Sequence, residues 1–400
     1  MRLWRKLVIG ATVVFVLLFV TVMIFFFLRH HELLTISDIR NIHPQETNRS
    51  GGAVFEMHVK GDYAFENFMN HGGVENTDAL SSFLEKNVTF CKDAPALSFP
   101  SVSRTAFTAQ TSGKDVLFSG NYDTSDSNLC IVYTDAAEGR HATVSVADLK
   151  TLGISAKNNE MTQEEKQWCL AAPYVPLEGM NDAGISCSFS ATFQGQGSVP
   201  ANQDTDRPDI TTTTLVRMVL DYADSVDEAV SMISHYDLHD SGNSSYHYFI
   251  ADSTGKSAVL EWIAPTTDTM DNDGSKRELK IHYNTRDSYV GERENNASYQ
   301  WMTDFILEPG YYDDGGDMEG YDRYENLYLD LKASDGMLQN EEDAIHALSR
   351  FSRRKWVHFD GKELLTLATV SYNLTERTAV FVPDEAYQDQ SKMIHITLKQ

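Results

Sequence analysis

The sequence predicts an α+β domain in which stacked sheets are covered by paired helices, carried behind one apolar helix. Three observations predict it. Residues Leu7 to Leu28 form 22 consecutive uncharged, mostly apolar positions. From residue 53 onward, short apolar or alternating runs bounded by Gly, Asn, Asp and Pro read as strands. The helical stretches between them come in pairs with their own caps, the pattern of sheets sandwiched by helices rather than of a regular βαβ alternation.

The apolar run is about long enough to cross ~30 Å of hydrocarbon as a helix. It exceeds the roughly 7–15-residue apolar region of a signal peptide, and it runs into Arg29-His30-His31 without a small-x-small cleavage site. Arg2, Arg5 and Lys6 precede it and Arg29 alone follows, so the positive-inside rule puts the N-terminus in the cytoplasm and the rest outside. The expected division is a cytoplasmic tail at 1–6, a membrane helix at 7–28, a polar stalk at 29–52 and one domain at 53–400, a single-pass cell-membrane protein. Four of the 33 Lys and Arg flank the anchor, leaving 29 against 58 Asp and Glu, a net of −29. Such a surface repels nucleic acid and argues against it as a partner.

Along the domain, residues 53–59 read as a strand turning at Gly61-Asp62. Residues 63–70 and 78–86 read as helices, the second capped by Asn76 or Thr77. Residues 105–119 read as a hairpin about Ser112-Gly113, ending in Asn121-Tyr122-Asp123. Strands are expected near 129–133 and 141–145. A Pro/Gly-punctuated stretch from Ala171 then becomes strand-like. Asp206-Arg-Pro-Asp209 leads into a helix with Leu215, Met218, Val219 and Tyr222 on one face. Ser225-Val-Asp-Glu228 is a capping box opening the next helix. Residues 246–251 and 257–263 form a hairpin around Asp252-Ser-Thr-Gly255. A late helical pair, 323–331 and 341–352, precedes strands at 365–373, 378–382 and 393–397.

Several blocks carry more than secondary structure: Gly61-Asp-Tyr-Ala-Phe-Glu-Asn-Phe68, the hairpin at 104–123, Ala172-Pro-Tyr-Val-Pro-Leu-Glu-Gly-Met-Asn-Asp-Ala-Gly184, Ile210-Thr-Thr-Thr-Thr-Leu-Val-Arg217, Ser225-Val-Asp-Glu-Ala-Val230, Tyr246-His-Tyr-Phe-Ile-Ala-Asp252, Met302-Thr-Asp-Phe305, Gly320-Tyr-Asp-Arg-Tyr324 and Val370-Ser-Tyr-Asn-Leu374. In this order, over roughly residues 55–400, the chain resembles the choloylglycine-hydrolase-like linear amide C–N hydrolases, an N-terminal-nucleophile family. The resemblance implies a four-layer αββα sandwich. It also implies a reaction in which a cysteine heading the hairpin, freed by removal of the preceding residues, attacks an amide with its own α-amine as base. An Arg-Asn-x-Asp run positions these groups, the asparagine of a Thr-Asn pair donates to the oxyanion, and a late arginine closes the site.

Carried onto this chain residue by residue, little of that remains. The nucleophile position is Arg104, which has no nucleophilic lone pair. Arg-Asn-x-Asp becomes Gly120-Asn121-Tyr122-Asp123, losing the cation and keeping Asp123. The Thr-Asn pair becomes Thr303-Asp304, whose ionised carboxylate only accepts. The late arginine falls on Leu367. Thr105 and Ser103 are the alternative nucleophiles, and side-chain alternation along a strand is expected to turn both away from the site. Arg104 is expected to form a buried ion pair with Asp123 and Asp304. The expectation is a catalytically inactive family member that binds an amide-like small molecule, a peptide or a surface protein. The alternative is an active hydrolase or acyltransferase working through Thr105 or Ser103.

No nucleotide, cofactor or catalytic-metal motif is present, and none is expected. His235, His239 and His247 read as helix-end and loop residues ahead of a metal set. Asp313 to Asp322 lacks the EF-hand spacing and reads as a loop, and Asp271 to Gly274 as a turn. Cys91, Cys130, Cys169 and Cys187 are irregularly spaced, so disulfides and free core thiols both remain open.

Overall fold

The computed structural model describes residues 2–46, 51–89, 96–100, 102–192, 199–242, 244–264, 273–284, 289–290, 293–294, 298–312, 318–354, 356–357, 361 and 363–398. Cys91 and parts of the acidic stretches at 271–274 and 313–322 fall outside them.

Helix α1 (Arg2–Leu28) is long and apolar enough to cross a membrane, by length and composition, and its described side chains are exposed. The segment after it is not the expected polar stalk. Helix α2 (His30–Asp38) starts after a single residue, Arg29, and packs on the strand Val54–Val59. Arg40–His43 then pairs with that strand antiparallel. The Lys60 amide donates to Thr35 Oγ1 at 2.9 Å and the His58 amide to Asp38 Oδ2 at 3.0 Å. The apolar residues Ile36, Ile39 and Ile42, three apart, turn this segment onto the core. The folded domain therefore begins at about residue 30.

The helices α3 (Phe65–Asn70), α4 (Thr77–Asn87), α5 (Gln163–Trp168), α6 (Thr212–Tyr222), α7 (Val226–Ile233), α8 (Tyr321–Ala333) and α9 (Glu341–Ser349) sit where the sequence places helices, apart from the short α5. Their starts follow local chemistry. Asn76 accepts from the Ala79 amide at the head of α4, and Ser225 from the Glu228 amide at the head of α7.

Among the described residues the first sheet has nine strands, in the spatial order Arg40–His43, Val54–Val59, Leu129–Thr134, Thr143–Asp148, Pro176–Asn181, Ile185–Thr192, Ser245–Asp252, Ser257–Ile263 and Glu278–Tyr283. Only the Val54–Val59/Leu129–Thr134 pair in it is parallel. The second sheet runs Gln300–Met302, Ala106–Thr111, Val116–Thr124, Glu363–Asn373, Thr378–Pro383 and Ile394–Thr397, with Met337–Leu338 and Trp356–Val357 at its margins.

The two sheets face one another. Phe118 of the second meets Phe249 of the first with ring centroids 5.0 Å apart, and Tyr122 donates across to Asp148 at 2.8 Å. Because strand side chains alternate, neighbours of these residues point the other way, onto helices. A Cβ on Gly179 would lie 2.7 Å from Leu220 of α6, and Asn121 donates to the Leu348 carbonyl of α9 at 3.3 Å. Helix, sheet, sheet and helix thus succeed one another through the molecule. Both faces of the central strands are buried, which is why Val116–Thr124 and Ile185–Thr192 are buried at every position.

Candidate functional site

The hairpin Ala106–Thr111/Val116–Thr124 carries the positions of interest at one end. Arg104 lies just before the first strand, with its side chain fully buried between the sheets. Its Nη2 donates to Glu178 Oε2 at 2.5 Å, and both side chains are essentially without solvent contact. Burial raises the Glu178 carboxyl above its ordinary range, opposed by the adjacent guanidinium. Gly120, one strand over, makes the arrangement fit. A Cβ there would stand 3.0 Å from Arg104 Nη2, 3.4 Å from Nε and 3.3 Å from the Ala106 Cβ. The space that a side chain at position 120 would need is filled by the side chain of position 104.

The second part of the site gathers around Asp304, in the segment after Gln300–Met302. Its Oδ1 accepts from the Arg104 backbone amide at 2.9 Å and from Ser190 Oγ at 2.9 Å. Its Oδ2 accepts from Ser103 Oγ at 2.5 Å and from Arg323 Nη2. Burial alone would raise this carboxyl, but the Arg323 charge and these donors outweigh it and hold it below the usual range. Arg323 comes from the first turn of α8. Its Nη1 donates to Thr105 Oγ1 at 2.6 Å and to the Arg104 carbonyl at 3.2 Å, and lies 4.0 Å from Asp123 Oδ2. Asp123 accepts from Thr366 Oγ1 at 2.6 Å, and burial pushes its carboxyl up to about 6 despite Arg323. Glu319, nearby in charge, is pushed up to about 7 by burial and by Asp304.

The structure brings together Arg104, Gly120, Asp123 and Asp304 and rearranges their expected roles. Arg104 pairs with Glu178 instead of Asp123 or Asp304, because its side chain enters the inter-sheet layer and only its backbone amide reaches Asp304. The cation for both aspartates is Arg323. Ser103 and Thr105 do not turn away from this cluster; they lie in it, one on Asp304 and one on Arg323, since the aspartates occupy the opposite face of the strand from the Arg104 side chain. Ser103 also exchanges both backbone hydrogen bonds with Asp123 at 3.0 Å, so pairing continues upstream of position 104. Both hydroxyls are buried. Asn121 faces α9 and accepts from Thr369 Oγ1 at 2.8 Å. Leu367 is buried at a bulge, where the register to Val116–Thr124 shifts between Thr366 and Ala368, and takes no part in the cluster.

Sequence reasoning missed Glu178, Ser190, Arg323 and Thr366 as members. Glu178 and Arg323 stand inside Ala172–Gly184 and Gly320–Tyr324, blocks the sequence marks out. Only the fold shows that their side chains converge. The histidines have separate partners: His239 bridges Asn202 and Asp209 at 2.9 Å each, His235 bonds the Ser231 carbonyl, and His247 lies 3.2 Å from Glu261. Cys130, Cys169 and Cys187 are free, buried thiols.

The fold and site define a two-sheet, helix-covered α+β domain with a buried ionic cluster at the head of its central hairpin. Residues 161–325, less than half the chain, match the sequence model of the linear amide C–N hydrolases, choloylglycine hydrolase family. The match includes Glu178, Ser190, Asp304 and Arg323 and begins downstream of Arg104. Solved structures similar to the chain include two mutant forms of the conjugated bile acid hydrolase from Clostridium perfringens. One has 16% identity and a TM-score of 0.45, over 74% of this chain and 92% of that one. The other has 17% identity and a TM-score of 0.46, over 73% and 92%. The penicillin V acylase from Agrobacterium tumefaciens is similar at 15% identity and a TM-score of 0.42, over 70% and 82%. No curated protein matches the chain.

Proposed function

We propose that this is a membrane-anchored, extracytoplasmic relative of the choloylglycine hydrolases that keeps the αββα N-terminal-nucleophile sandwich and has given up the reaction, its site now serving to hold the domain together while the surface binds a ligand or partner. The observation that supports this best is the Arg104–Glu178 pair packed against Gly120. Position 104 has no thiol or hydroxyl, the place of the positioning arginine is filled from the neighbouring strand, and Asp304 is engaged by four donors. A carboxylate so saturated offers an oxyanion nothing. Helix α1 supports the anchor, and the Arg2, Arg5 and Lys6 bias supports an outward-facing domain.

The test is intact-mass analysis of the full-length protein alongside hydrolysis of a panel of N-acyl amides. An uncut chain that turns over no amide agrees with the proposal. Cleavage between residues 103 and 105 with amide hydrolysis overturns it. One observation favours the alternative enzyme: Thr105 Oγ1 lies 2.6 Å from Arg323, beside Asp304. That reading requires Thr105→Ala to abolish turnover in a processed protein.

A further inference from the structure

A large surface groove lies close to the anchor. It has a volume of about 750 Å³ and is lined by Gly61, Asp62, Met69, Ala137, Arg140 and Tyr222 among others. Its edge is tied to α2 through Gly61, whose backbone is left-handed (φ +74°) and whose missing Cβ would stand 2.8 Å from the His31 ring. Only glycine admits that approach at that backbone angle. His31 is three residues beyond Leu28, the last residue of α1, and a single residue separates α1 from α2. Three residues of chain, at most about 3.6 Å each, keep His31 within roughly 11 Å of the end of the apolar helix. The headgroup layer beyond the hydrocarbon is roughly 5–8 Å thick on each side. Helix α2 is bonded to its strand at Thr35 and Asp38, so the domain has no free length in which to move away.

We propose that this groove faces the lipid headgroups and that the partner it fits is the bilayer surface itself, a proposal that rests on α1 spanning the membrane. Its apolar floor is Met69 and Tyr222. Its exposed rim carries Asp62, Glu66, Asp135 and Glu138, with Arg140 the cation among the lining residues. That charge suits the outermost ammonium of choline and ethanolamine headgroups and opposes anionic ones.

The experiment uses the full chain in a Cys91→Ser background, reconstituted in phosphatidylcholine nanodiscs containing a headgroup nitroxide lipid. Fluorophores are attached at Asn70→Cys, at Glu138→Cys, and at Asn326→Cys on α8, in the opposite helix layer. Stronger quenching at 70 and 138 than at 326, lost when a flexible Gly-Ser spacer is inserted after Arg29, is the expected result. Replacing phosphatidylcholine with phosphatidylglycerol should weaken it. Equal quenching at the three sites in disc-bound protein overturns the groove's orientation and leaves the anchor standing. A chain that never enters discs overturns both.

Discussion

Replacing Glu178 by glutamine keeps the size and the acceptor oxygen facing Arg104 and removes only the charge. The guanidinium is fully buried, its sole described charge partner is the Glu178 carboxylate at 2.5 Å, and its Nε and Nη1 have no hydrogen-bond partner among the described residues. Arginine cannot discharge itself by losing a proton. Breaking such a pair on one side leaves an uncompensated buried charge and costs about 3–5 kcal/mol, whereas replacing both partners by apolar groups of similar volume is near neutral. Urea unfolding of the detergent-solubilised protein, followed by tryptophan fluorescence, reads this directly. With m of about 3 kcal/mol per molar, the midpoint falls by roughly 1 M or more for Glu178→Gln and for Arg104→Met. The double variant Arg104→Met/Glu178→Leu should recover most of the loss. Singles that unfold within experimental error of the wild type, or a double variant at least as unstable as the sum of its singles, would refute the claim that this pair organises the inter-sheet layer.

The same geometry sets other outcomes. The folded pKa of Asp123 is raised from 3.8 to about 6, so its contribution is present in full below pH 4 and is lost as pH rises through 6. Asp123→Asn, which keeps an acceptor for Thr366, should therefore stabilise the protein at pH 7 by up to about 3 kcal/mol and have no such effect near pH 4, as measured by unfolding midpoints across pH. Ser225→Ala removes the cap of α7 and should cost about 1 kcal/mol in the same assay. Cys130, Cys169 and Cys187 are buried, and burial raises the Cys130 and Cys187 thiols. Alkylation mapped by peptide mass should leave all three unmodified until the protein is unfolded.

The fold is legible in the sequence because its elements announce themselves locally. Hairpin turns, the Asn76 and Ser225 caps and the face of α6 are all short-range signals, and the helices and strands they mark fall within a few residues of where those signals put them, whereas α5 and the strands Glu278–Tyr283 and Gln300–Met302 are not among them. Residues 29–52 escape such a reading for a matching reason. Arg40–His43 is an edge strand that buries one side chain of four, and a nine-residue polar helix reads as linker unless its three-residue isoleucine spacing is given weight. At the site, the sequence shows which positions are unusual and cannot show which partner each side chain chooses. Residue 104 comes 74 positions before Glu178 and 219 before Arg323. The choice between Glu178 and Asp304 depends on which face of a strand the residue occupies, and a one-residue phase error reverses it. That phase also moves Ser103 and Thr105 into the aspartate cluster.

The same phase shows why Arg104, Glu178 and Gly120 belong together. An arginine at 104 needs an anion within the inter-sheet layer, which Glu178 supplies, and empty space over the adjacent strand, which Gly120 supplies. Cysteine placed at 104 alone would strand Glu178 as a buried carboxylate without a cation, at a cost of the same ~3–5 kcal/mol as the single variants above. Failure of Arg104→Cys to hydrolyse amides would then report instability as much as lost chemistry. Arg104→Cys/Gly120→Arg returns the cation from the neighbouring strand, where the backbone of Gly120 is not left-handed and its Cβ points at the space the guanidinium now fills. The double variant should therefore unfold close to the wild-type midpoint while Arg104→Cys unfolds well below it. Amide hydrolysis by that stable double variant would mean that the site is one exchange from activity. A stable but silent double variant would place the remaining obstacle at Asp304, where four donors hold a carboxylate in the position the resemblance gives to an oxyanion donor.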